Sequence, residues 1–335
     1  MDMEQEELQF LGLFGIYKET FKLIYKLRKI LSQITLALIL PLSFIFLAQE
    51  RISELLFWKI RTNEFRLHSS APGSPKHDKL SDLVSAEWAE YVLLKLAYFA
   101  FVLVFSLLST SAVVYTVACA YTARDATFTT VMSVVPKVWK RLMITFLCAF
   151  FAFFLYNIGF VVTLLVWSAT VSDSTVGILI FVVVLILYGV VFVYLTIVWQ
   201  LASVVSVLED SRGIEAMMKG KRLMKGKMVV AAAIFLKLNI SIFLLNIFFK
   251  IFVVYGSFRS VGLARSLGFG VFFLVVLLMT ILFGLVVQTV LYLVCKSYHH
   301  ENIDKSALSD HLEVYLGDYV PLMAKNVQME DLHGV

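Results

Sequence analysis

Acidic side chains are missing from six long stretches of this 335-residue chain: residues 31–49, 96–121, 142–169, 176–208, 228–255 and 267–295 contain neither aspartate nor glutamate. Charged residues of all kinds reach only 16%, against 60% hydrophobic, where soluble domains carry roughly 45–50% apolar residues. An ordinary soluble fold is excluded, because its interior could not hide so much apolar surface. Proline is scarce, at five residues, so little interrupts the apolar runs. Three cysteines give no disulfide framework. Reaction motifs are missing too: the sequence holds no P-loop, no GxSxG and no HExxH. The histidines His68, His77, His299, His300, His311 and His333 all stand outside the six stretches. His299 and His300 are followed by Glu301 and Asp304, but adjacent helical residues diverge by about 100° and do not share one ion easily. The chain is therefore expected to be no enzyme, with no catalytic residue, no cofactor and no metal.

What is present is hydrocarbon-length apolar sequence. Each of the six runs meets or approaches the roughly 20 residues that cross a bilayer. The runs are continuously apolar and lack the in-out alternation of barrel strands, so helices are required. Pro41 falls inside the first run and predicts a kink there. With six spans and short loops, no room is left for a separate soluble domain of typical size, on the order of 100 residues.

Orientation follows from lysine and arginine. One side would carry Lys18, Lys22, Lys26, Arg28 and Lys29; Arg124, Lys137, Lys140 and Arg141; Arg212, Lys219, Lys221, Arg222, Lys225 and Lys227; and Lys296, Lys305 and Lys325. The other would carry Arg51, Lys59, Arg61, Arg66, Lys76 and Lys79 in the first loop, with Arg259 and Arg265 in the fifth. Eighteen against eight predicts both termini in the cytosol, in the plasma membrane or an endoplasmic reticulum or other endomembrane. The acidic opening Asp2, Glu4, Glu6, Glu7 predicts no cleavable signal peptide.

A weaker repeat overlies the spans. Residues 16–30 place Lys18, Lys22, Lys26 and Lys29 on one helical stripe and Tyr17, Phe21, Ile24 and Leu31 on another. Residues 124–142 and 212–228 follow a similar plan: an arginine, a mixed segment, then clustered bases as the next span starts. The expected architecture is an all-α polytopic membrane bundle, six transmembrane helices in three hairpins, each preceded by a cytosolic amphipathic interfacial helix. Residues 1–30 form the cytosolic N-terminal segment, 31–295 the six-helix membrane domain and 296–335 the cytosolic tail.

Polar residues within the runs are candidate functional groups. Asn239, Asn246 and Lys250 share a helical face and Lys237 lies nearby. Because no carboxylate stands in any run, the two lysines either snorkel to the interfaces or line a wet cavity that receives an anion or lipid phosphate. Lys219, Lys221, Arg222, Lys225 and Lys227 are candidate contacts to anionic lipid headgroups; a nucleic-acid reading of them is set aside, since flanking spans already explain the charge. Gln200, Gln288 and Asn157 are expected to bond between helices. Cys119, Cys148 and Cys295 lie near the cytosolic ends of their spans, where palmitoylation or plain apolar packing would suit them.

The opening EELQFLGLFGIYKETFKLI, the loop VLEDSRGIEAMMKGKRLMKGK and the tail YLGDYVPLMAKNVQMEDL resemble a family of uncharacterised plant multi-pass membrane proteins. More distantly, the loop is similar to the membrane domain that accompanies bacterial glycerophosphodiester phosphodiesterases. The resemblance implies about six helices; the catalytic domain of those enzymes is absent, so no catalytic residue carries over. The expected role is to organise membrane lipids, anionic ones above all, or protein partners at the cytosolic face without catalysis. The alternative is a transporter or channel for an anionic or lipid-like substrate.

Overall fold

The computed structural model describes residues 9–71, 73–122, 126–170, 174–255 and 263–299. All regular structure among them is helical: α1 (Leu13–Lys26), α2 (Arg28–Ile34), a π-helical segment π1 (Thr35–Ile39), α3 (Leu40–His68), α4 (Pro75–Tyr121), α5 (Phe128–Thr170), α6 (Thr175–Leu208), α7 (Ile214–Leu223), α8 (Met228–Phe249), π2 (Lys250–Tyr255) and α9 (Leu263–Tyr298). Six helical stretches are long and apolar enough to cross a membrane. In hydrocarbon every backbone N–H and C=O must be paired within the chain, and long uninterrupted helices do this. Arg124, Arg259 and the tail from residue 300, with its YLGDYVPLMAKNVQMEDL segment, lie outside the described residues.

Pro41 produces a widened turn. It stands at the start of α3, directly after π1; a π turn accommodates the missing N–H and the ring that would otherwise press on the preceding turn. The first loop expected between residues 50 and 95 is also different. It is almost wholly helical, because α3 runs on to His68 and α4 already begins at Pro75. At 47 residues, α4 is about 70 Å long, more than twice the roughly 30 Å hydrocarbon core. The α3/α4 pair thus extends beyond the apolar zone, and Glu87 and Glu64 find partners across it. Asn63 donates to both Glu87 oxygens at 2.9 and 3.0 Å, Lys59 lies 3.1 Å from the same carboxylate, and Trp88 donates to Glu64 at 3.0 Å. Ser74 caps α4 by accepting from the His77 N–H, with Pro75 at the first position.

The segment 124–142 is likewise no separate interfacial helix. From Phe128 it is the opening of α5, continuous through Pro136, and Val131, Val134, Val135, Val138 and Leu142 are buried against protein. Those spacings make a helical stripe, and neighbouring helices cover it.

Two zones divide the bundle. Near Glu209, residues 107–119 of α4, 196–208 of α6 and 286–297 of α9 are buried on almost every side and share one core with α1, α2, α5 and α7. Beyond that zone, large apolar residues are exposed in rows, among them Phe151, Leu155, Val162 and Leu165 on α5, Ile178, Leu179, Ile186 and Val190 on α6, and Val271, Phe272 and Met279 on α9. Apolar area of that extent is untenable in water and marks the surface that faces lipid. A smaller core at the opposite end joins Leu47, Leu245, Phe249, Val254 and Leu277. A polar clasp borders it: Glu50 lies 2.9 Å from Lys250, Tyr255 donates to Glu54 at 2.9 Å, and Arg51 donates to the Val253 and Val254 carbonyls of π2 at 2.6 and 3.2 Å.

Candidate lipid-headgroup surface

The loop Glu209–Gly213 turns the chain from α6 into α7 and sets the position of the basic segment that follows. Gly213 adopts φ 61°, a conformation that favours glycine. Its N–H donates to Thr145 Oγ1 at 2.9 Å, and that hydroxyl lies 2.6 Å from Ser206 Oγ. Asp210 accepts from Arg141 at 2.7 Å. From there α7 folds back on α6 with Ala216, Gly220 and Leu223 buried, spacings of four and three that form one stripe. Gly220 permits the close approach: a Cβ there would lie 3.2 Å from the Ala202 nitrogen and 3.3 Å from the Val198 oxygen. The small-residue face of α7 is therefore occupied by protein.

Glu209 is the charged centre of this end. Its side chain is 12% exposed and is held by Lys219 of α7, by Lys296 of α9 at 2.9 Å and by the Tyr292 hydroxyl at 2.5 Å. Burial pushes its carboxyl upward, but the hydrogen bonds from Lys219 and Tyr292, with the charge and hydrogen bond of Lys296, outweigh that and hold it below the ordinary carboxylate value. Three helices are joined through one carboxylate. Lys221, Arg222 and Lys225 project outward from the clamped segment and are exposed. An open cleft of about 560 Å³ runs between Ser211, Glu215, Met218, Lys219, Lys221 and Arg222.

A sequence profile described as "Domain of unknown function (DUF8558)" matches residues 1–332. The chain belongs to the DUF8558 family. Curated proteins and solved structures give no match to it.

In this DUF8558 protein the basic candidates separate into two kinds. Lys219 is neutralised by Glu209, and Lys227 donates to the Leu11 carbonyl at 3.4 Å while lying over the Tyr298 ring. Lys221, Arg222 and Lys225 face outward. The four candidates on α8 and π2 have different surroundings. Lys237 lies exposed over the Tyr17 ring at 5.7 Å, Asn239 donates to the Phe235 carbonyl of its own helix, and Asn246 has a buried Oδ1 without a hydrogen bond among the described residues. Lys250 has the carboxylate that the sequence was not expected to supply: α3 continues past the apolar run and brings Glu50 to it.

Of the cysteines, Cys119 and Cys295 are buried within the packed zone and Cys148 is half-buried beside Gly213. Asn157 bridges α5 and α6 by accepting from the Tyr188 hydroxyl at 3.0 Å. Gln200 and Gln288 do not bond across helices: their side-chain amides make no hydrogen bond among the described residues and border a cavity instead. Sequence reasoning missed Glu209; the signal available was the acidic pair Glu209 and Asp210 between an apolar run and a basic helix.

Proposed function

We propose that this protein is a non-catalytic, multi-pass membrane protein that gathers anionic lipid at its cytosolic face. The observation that carries the reading is the exposure of Lys221, Arg222 and Lys225 on a segment locked in place by Glu209 and Gly220. With the backbone already fixed, only the side chains need ordering when a headgroup arrives. Each base near an anionic leaflet contributes about 1 kcal/mol, so three favour anionic lipid by on the order of a hundredfold.

The first helix adds support. On α1, Ile16, Thr20 and Leu23 are buried against the bundle, while Phe14, Phe21 and Tyr25 are exposed at spacings of seven and four, one face of a helix. Lys18, Lys22 and Lys26 are exposed on the same helix. Aromatics beside lysines suit the boundary between hydrocarbon and headgroups, and α1 and α7 are the parts of the expected amphipathic repeat that stand as separate helices. Leu11 and Tyr298 both meet Lys227, which supports the reading that both termini share the cytosolic side, in the plasma membrane or an endomembrane. The likeness to plant multi-pass proteins, and the distant one to the phosphodiesterase-associated membrane domain, fit a membrane role without catalysis. Protein partners at the same face fit the exposed basic row equally; nucleic acid is not proposed. The transporter alternative has less support, since Lys250 is paired with Glu50 and Asn239 donates to its own helix.

The test uses the full chain in phosphatidylcholine nanodiscs that contain a minor fraction of fluorescent phosphatidylserine, with an acceptor dye near α7. Energy transfer above that from fluorescent phosphatidylcholine is expected, and the triple change Lys221→Glu, Arg222→Glu, Lys225→Glu should abolish the excess. An unchanged excess in a triple variant with wild-type thermal unfolding would sink the proposal.

A further inference from the structure

Between α4, α5, α6 and α9 lies a half-enclosed cavity of about 300 Å³. Two primary amides reach it, Gln200 from α6 and Gln288 from α9, and neither makes a side-chain hydrogen bond among the described residues. Ser106 and Ser203 also line it, with Phe99 and Trp199 as aromatic walls and no charged side chain in the lining. Gln288 stands ten residues before the end of α9 at Tyr298, about 15 Å along the helix, well inside an apolar span. Unpaired amides there carry a substantial desolvation cost, which a hydrogen-bonding occupant removes. Phe99 is 49% exposed and stands on the lipid-facing part of α4, so the mouth opens toward the bilayer.

We infer that this cavity binds an uncharged lipid whose head is a hydroxyl. A hydroxyl both donates and accepts, which matches two amides that each offer both roles. The absence of a basic lining residue disfavours a phosphate head, and the aromatic walls take the hydrocarbon next to the hydroxyl. The site is separate from the basic row on α7 and does not depend on it.

The source of the hydroxyl, a sterol or a diacylglycerol, is distinguished by experiment. Purified full-length protein in phosphatidylcholine nanodiscs is irradiated with photoactivatable cholesterol, diacylglycerol or phosphatidylserine, and labelled peptides are mapped. Displaceable labelling of α4, α6 or α9 lining peptides by a hydroxyl-headed probe is expected, and the probe that labels identifies the source. The double change Gln200→Leu, Gln288→Leu should cut it about tenfold, as loss of two modest hydrogen bonds implies. If that variant does not fold, the volume-conserving single change Gln200→Met and displacement by unlabelled lipid on the wild type decide the matter. The inference is overturned if no displaceable labelling of the lining peptides occurs, if the phosphatidylserine probe labels those same peptides, or if their labelling persists in a folded variant.

Discussion

A methyl group added at Gly220 would press on the α6 backbone 3.2 Å away, whereas one added at Gly189, on α6 itself, would meet nothing within 4 Å. The two glycines belong to zones with different sources of stability. Around Gly220 the helices obey the packing rules of a soluble interior, with small residues at close approaches and buried charge balanced by buried charge. Beside Gly189, Ile186 and Val190 are exposed, and lipid supplies their solvent. The difference teaches that a bundle of this kind is packed most tightly at one end, carries a smaller core at the other, and is solvated by lipid between them.

The largest effect should come from removing the anchor. Glu209→Ala removes the buried carboxylate that Lys219, Lys296 and Tyr292 share, and breaking a buried pair in this way costs about 3–5 kcal/mol; thermal unfolding in mild detergent measures it. A loss no greater than that of an exposed surface substitution would break the distinction between the zones. Next in size, Gly220→Leu should cost about 1–3 kcal/mol by overpacking and should loosen α7, measured as faster amide exchange over residues 214–223.

Acidity sharpens the same point. The folded carboxyl of Glu209 lies below the ordinary value of 4.5, so its stabilisation is complete above that pH and is lost as pH falls through the folded value. The stability gap between wild type and Glu209→Gln should therefore be flat above pH 4.5 and shrink below it. At the opposite end the clasp is more open, with the Lys250 side chain 37% exposed. Lys250→Met should cost under about 1 kcal/mol, as solvent-screened pairs do.

The lipid-facing zone was readable from sequence because hydrocarbon imposes a local rule: a run without acids, long enough to cross, must be helical. The anchored zone was not, since its stability rests on pairings between distant residues. Nothing near Glu209 in sequence announces Lys296 or Tyr292, and a rule based on acids within spans could not foresee that a lengthened α3 would carry Glu50 to Lys250. Extension of helices past the membrane was hidden for a related reason. Residues 50–95 are charged enough to read as loop, yet their carboxylates and amides pair across α3 and α4, as in Asn63 with Glu87. Gln200 and Gln288 were legible as intramembrane polar groups, but whether such amides bond to each other or face a cavity depends on packing alone.

The smallest expected effect is also the sharpest check on the comparison, because its sign is reversed. Gly189 lies within the continuous helix α6 with open space where a side chain would go. Glycine in a helix interior gives up about 0.5–1 kcal/mol relative to alanine through the freedom of the unfolded chain. Gly189→Ala should therefore raise the unfolding temperature slightly, while Gly220→Ala, with α6 backbone in the way, should lower it. Equal responses at the two positions would mean that lipid or a partner packs as tightly against α6 as α7 does, and the division into an anchored end and a solvated remainder would fail.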